Sequence, residues 1–166
     1  MLAEINKLEL FFEDCYREVS VREYSREINV SPPTASKLLK LFQDERLLLA
    51  KAERGFLLFR ANRDSDILKD LSRVYWKEKL NELIEYLETF FPKAIILFGS
   101  LSKLEAKKDS DIDILFLCPK KNFSIQKYEK RLNRKIQIFC YDSLEDINKE
   151  LRLNIINGYV LRGFLS

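Results

Sequence analysis

Histidine is absent from the 166 residues, which removes the commonest general base and the usual transition-metal ligand. Any metal chemistry must therefore rest on oxygen donors, a choice that favours Mg²⁺ or Mn²⁺. Cysteine is scarce: Cys15, Cys118 and Cys140 are odd in number and far apart, and the last two sit in apolar runs. That spacing excludes a zinc pattern and fits thiols kept reduced inside a cell. No stretch approaches the roughly 18 consecutive apolar residues of a membrane span. Met1 to Val19 carries acidic residues throughout, unlike a signal peptide, so the chain is expected in the cytoplasm without a membrane partner. A surplus of one charge is also lacking. The net charge is +3, with both signs interspersed, and it neither demands nor excludes nucleic acid.

Aromatic residues are plentiful, with 12 Phe, 7 Tyr and 1 Trp, enough for one ordinary core or two small ones. In "SVREYSREINVS", residues 20–31, Ser20 stands three before Glu23, the spacing of a capping box that opens a helix. Asn29 tolerates a left-handed turn, and Ser31-Pro32 supplies a second N-cap with proline at the first helical position. The second helix is expected from Pro33 to Glu45. Leu38, Leu39, Leu41 and Phe42 form its inner side, and Thr34, Ser36, Lys37 and Lys40 remain more exposed. "LLLAKAERGFLLFRAN" then reads as two strands joined at Glu53-Arg54-Gly55.

Helix, helix, helix, hairpin over residues 1–61 resembles a winged helix-turn-helix domain of bacterial and archaeal regulators. The resemblance implies that the Pro33–Glu45 helix enters a DNA major groove and that the hairpin is the wing. Thr34, Ser36, Lys37, Lys40 and Arg54 would then be the DNA-binding residues, with Lys37, Lys40 and Arg54 on phosphates. Residues 20–60 hold eight basic and five acidic residues, a surplus of three. A winged helix used for dimerisation or protein docking, with those charges solvating its surface, is the alternative.

Residues 62–92 are expected to be linker helices. Ile67, Leu68, Leu71, Val74, Tyr75, Leu83, Ile84, Leu87, Phe90 and Phe91 recur at three- and four-residue steps until Pro92. Such a stripe covers a neighbouring sheet or, alternatively, forms the seam of a homodimer.

Residues 93–166 carry the chemistry. "AIILF", 94–98, reads as an internal strand, Gly99-Ser100 follows at once, and Leu101 to Ala106 is expected to be a short helix. "DIDILFLC" is the next strand, whose period of two puts Asp111 and Asp113 on one face with Leu115 and Leu117. Two like charges so close raise each other's pKa unless a cation lies between them, and a divalent ion bridging to a phosphate is the ordinary solution. Gly99 lets backbone approach a ligand, and Ser100 brings a hydroxyl and an N–H to the start of the next turn. Lys103 follows one turn on.

Gly-Ser, ten residues, then Asp-x-Asp resembles the minimal nucleotidyltransferase family, which shares its core with DNA polymerase β. The ending "NGYVLRG", 157–163, is similar to the family's closing segment. The resemblance implies an α/β (α+β) fold with a mixed sheet, and nucleoside triphosphate phosphates bound by Gly99, Ser100 and Lys103. It also implies catalytic, metal-binding Asp111 and Asp113 with Mg²⁺ or Mn²⁺, and transfer of AMP from ATP to a protein or small-molecule hydroxyl. A third carboxylate is expected from "KIQIFCY", 135–141, but Gln137 occupies the outward position, and Asp142 is the nearest substitute. Leu104 stands where the family's frequent Lys-Gly-Glu turn, here Lys103 to Glu105, has glycine. Alternative functions are a catalytically weak, nucleotide-sensing DNA-binding regulator, or an antitoxin-like partner of a helical nuclease toxin.

Overall fold

The computed structural model describes residues 2–53, 55–119 and 121–164. The chain divides into two compact units, one of residues 1–72 with 104–108, the other of residues 73–103 with 109–166.

The first unit opens with two short helices, α1 (Leu2–Asn6) and α2 (Glu9–Glu13), then β1 (Val19–Ser20), α3 (Val21–Glu27) and α4 (Pro32–Asp44). The expected caps form: Ser20 Oγ accepts the Glu23 N–H at 3.3 Å, and Ser31 Oγ accepts that of Thr34 at 3.3 Å. Asn29 takes φ 53° between the helices, the left-handed geometry that an Asn side chain tolerates. The hairpin β2 (Leu48–Glu53) and β3 (Phe56–Ala61) pairs antiparallel, with β1 on the outer side of β3. Gly55 supplies φ 80° in the turn, while Arg54 lies outside the described residues.

Phe11, Phe12, Tyr24, Leu39, Phe42 and Phe59 form this unit's core, each fully buried side chain contributing about 1.5–3 kcal/mol. Leu41 departs from the expected pattern. It is 48% exposed, because the buried stripe of α4 runs through Ala35, Leu39 and Phe42 and leaves the flank open.

The helical span beyond is two elements, α5 (Asp66–Lys79) and α6 (Asn81–Glu88), and the division between the units falls within α5. In the second unit follow β4 (Ala94–Phe98), β5 (Ile112–Leu117), α7 (Gln126–Leu132), β6 (Ile136–Tyr141), α8 (Lys149–Ile156) and β7 (Tyr159–Gly163). The expected helix at 101–106 is a single 3₁₀ turn, Leu101–Lys103. The sheet order is β6-β5-β4-β7, with β5 and β6 parallel and the other pairs antiparallel, so the sheet is mixed.

One sheet face packs Ala94, Ile96, Phe98, Leu115 and Leu117 against Ile147 and against Ile155 of α8. Around α6, Tyr86 lies 5.6 Å from Tyr128 of α7, and Phe123 stacks edge-on with both Phe90 and Phe116. Leu83, Ile84 and Leu87 are buried within the single chain. No helix among the described residues is long and apolar enough to cross a membrane.

Candidate active site

Asp113 sits at the centre of three strands. It pairs with Phe98 of β4 on one side and with Gln137 of β6 on the other. The period of two places Asp111, two residues earlier, on the same face, and the side chains converge: Gln137 Nε2 donates to Asp111 Oδ2 at 2.6 Å.

Gly99 follows Phe98 directly and turns the chain with φ 71°. A Cβ at that position would lie 2.3 Å from Asp113 Oδ2, so only glycine lets the turn rest against the carboxylate. Two hydrogen bonds hold the turn. Ser102, fully buried, donates its hydroxyl to Gly99 O at 2.9 Å, and Arg73 Nε donates to Ser102 O at 3.1 Å.

The electrostatics follow from this crowding. Burial, and then the charge of Asp111, push the Asp113 carboxyl above the ordinary carboxylate range. Among the described residues no Lys or Arg forms an ion pair with either aspartate. Two carboxylates are hard donors of the kind suited to Mg²⁺ or Mn²⁺, while Gln137 turns its amide nitrogen toward them. Among the described residues no group of three His, Cys, Asp or Glu gathers to hold a metal ion, because the third place belongs to Gln137.

Asp142 lies away from the aspartate pair. It follows Tyr141, which pairs with Leu117 at the opposite end of β5 and β6 from Asp113, and its backbone oxygen accepts from Lys93 Nζ at 3.3 Å. Five residues at about 3.3 Å each separate it from Gln137 along the strand.

Lys103 lies near the turn, but its Nζ donates to Asn154 Oδ1 of α8 at 2.9 Å. Leu104 takes φ 60°, a left-handed geometry that favours glycine, and its side chain is fully buried. In the first unit, Ser36, Lys37 and Lys40 are exposed on α4, whereas Thr34 Oγ1 shares a 2.8 Å hydrogen bond with the cap residue Ser31.

Sequence reasoning missed Arg134. It is buried, its Nη1 donates to Ser110 O at 2.6 Å, and its guanidinium lies 5.3 Å from the Trp76 ring centre. It thus fixes the residue that leads into Asp111. A basic residue in a basic stretch carries no signal of burial, so nothing in the sequence marked it.

Residues 81–161 match the family model of polymerase beta nucleotidyltransferases. The matched stretch contains the Gly-Ser turn, both aspartates and Gln137. A solved structure described as "Crystal structure of the toxin-antitoxin with AMP-PNP" is 28% identical, covering 51% of this chain and 73% of that chain, with a TM-score of 0.40. No curated protein matches.

Proposed function

We propose that the second unit binds a nucleoside triphosphate, ATP in the first instance, with Mg²⁺ or Mn²⁺, and transfers its nucleotidyl group to a hydroxyl of a protein or small molecule. The observation that carries this reading is the Gly99 turn, which rests against the Asp113 carboxylate and so brings the Gly-Ser backbone beside the pair of acids.

The Gly99-Ser100 backbone and the Ser100 hydroxyl seat the outer phosphates. Asp111 and Asp113 are the residues that would hold the divalent ion. When bound, that ion neutralises charge on the phosphates and on the departing pyrophosphate. The acceptor oxygen forms its bond to the α-phosphorus and gives up its proton to solvent as the bond to pyrophosphate breaks and the pyrophosphate leaves with the electron pair. Gln137 fixes Asp111 through the 2.6 Å hydrogen bond and brings no charge of its own. Incubation with α-labelled ATP, Mn²⁺ and cell extract is expected to label an acceptor, and Asp111→Asn to abolish the label; no transfer with any nucleotide would defeat the reading.

The same hydrogen bond favours a second reading, a nucleotide-sensing regulator with little turnover, since an amide at the third place cannot help deprotonate an acceptor. It requires Mg–ATP binding without pyrophosphate release, and a partner affinity that changes on ATP addition. For that role the first unit would act as a winged helix, with α4 in a major groove and the β2–β3 hairpin as the wing. The exposed Lys37 and Lys40 and the capped start of α4 support it.

A further inference from the structure

Ten residues separate Ser100 of the Gly-Ser turn from Asp111, and five of them, Leu104–Lys108, belong to the first unit. The chain thus leaves the second unit directly after the 3₁₀ turn and re-enters it two residues before Asp111.

Within the first unit this connector is anchored. Leu104 and Ala106 are buried, whereas Glu105 and Lys107 between and beyond them are exposed. Ala106 O accepts the N–H of Cys15, itself buried, at 2.8 Å. The next residue, Tyr16, stands between α2 and β1 and draws two cations to its ring. The Arg63 guanidinium lies 4.2 Å from the ring centre, and Lys107 Nζ of the connector lies 5.6 Å from it. Arg63 Nη1 also donates to the Tyr16 hydroxyl. A cation within about 6 Å of a ring centre is attracted by the ring's face. Tyr16 therefore ties the connector to the segment that leads from β3 into α5.

A short run of bonds joins this anchor to the aspartates. Leu104 takes φ 60° where the chain passes from one unit to the other, a geometry that a residue other than glycine keeps only where its surroundings fix it. The 3₁₀ turn ends one residue earlier, at Lys103, and its Ser102 hydroxyl donates to Gly99 O at 2.9 Å. Gly99 in turn rests against the Asp113 carboxylate. Freed of its anchor, Leu104 would relax to a negative φ, and the 3₁₀ turn that braces Gly99 would lose its fixed end.

We propose that Tyr16 is a positioning residue for the nucleotide site: by holding the connector, it keeps the Gly99 turn set against the aspartate pair. The proposal rests on the transferase reading and adds a residue of the first unit to those on which the site depends.

Mg–ATP binding to the full chain is measured by calorimetry, and the amides of Gly99 and Asp113 are followed by NMR with and without ligand. Tyr16→Ala is expected to weaken Mg–ATP by about fivefold or more and to shift both amides before any ligand is added. Tyr16→Phe keeps the ring and is expected to hold the affinity within about twofold of wild type. Should Tyr16→Ala not fold, Arg63→Ala removes the nearer cation and is read through the same amides. Unmoved Gly99 and Asp113 amides, unchanged affinity, or a loss in Tyr16→Phe equal to that in Tyr16→Ala overturns the proposal. If the wild type ignores Mg–ATP while Tyr16→Ala still moves the two amides, the transferase reading falls and the link from Tyr16 to the aspartate pair stands.

Discussion

Gln137 donates its side-chain amide to Asp111 at 2.6 Å, from the strand position directly beside Asp113. A neutral group therefore fills the place from which a third carboxylate would complete a two-ion site, and it does so while ordering one of the two acids that remain. Restoring the charge is the direct test. Gln137→Glu is expected to tighten Mn²⁺ binding by about tenfold, read by calorimetry without nucleotide. Unchanged affinity would mean that residue 137 does not reach the ion.

Asp113 makes stability depend on pH. Its carboxyl is raised in the folded chain, by burial and then by Asp111, so the folded state holds that proton more tightly than the unfolded state. Stability in the absence of divalent ion is therefore fullest below the unfolded value and falls as pH rises through the folded one. Asp113→Asn is expected to raise the melting temperature at pH 7 without metal, and to match the wild type near pH 3.5. Added Mn²⁺ should raise the melting temperature of the wild type alone. Thermal unfolding at both pH values checks the pattern.

Gly99→Ala meets two obstacles at once. The left-handed φ of 71° costs an L-residue roughly 1–2 kcal/mol, and the new Cβ would stand 2.3 Å from Asp113 Oδ2. The expected outcome is a folded but less stable chain whose Mg–ATP affinity falls by about tenfold or more, measured by urea unfolding and calorimetry.

Leu104 sets two effects against each other. Leu104→Gly relieves about 1–2 kcal/mol of left-handed strain at φ 60°, yet empties a fully buried site, where truncating a leucine costs about 2–5 kcal/mol. The larger loss decides the sign. Urea unfolding should show a net destabilisation of roughly 1–3 kcal/mol, and a stabilised variant would show that the strain outweighs the packing.

Lys37 and Lys40 test the first unit. If α4 contacts phosphates, Lys37→Ala with Lys40→Ala lowers affinity for random duplex DNA and reduces the salt dependence by roughly two phosphate contacts, a slope change of about 1.8. A slope unchanged by the pair would mean that these two lysines make no phosphate contacts.

Much of the local geometry was legible because it depends on near neighbours. Ser20 and Ser31 cap their helices, Asn29 takes its left-handed turn, and Asp111 and Asp113 share a face, since each outcome is set within four residues along the chain. Leu41 was misplaced on the inner side of α4, because periodicity marks a stripe without saying how wide the covering surface is.

The Gly-Ser turn and the Asp-x-Asp strand were thus written in the chain itself, as were the oxygen-only donor set and the missing third acid. Tertiary structure alone decided that Gln137 bonds to Asp111, that Asp142 lies at the far end of the sheet, and that Lys103 is held by Asn154. Those outcomes depend on the register of β5 with β6 and on contacts between residues 26 to 51 positions apart. Short-range sterics cannot set such pairings; burial of the two sheet faces does, since a slip of one residue would turn Leu115 and Leu117 out of the core and the aspartates away from Gly99.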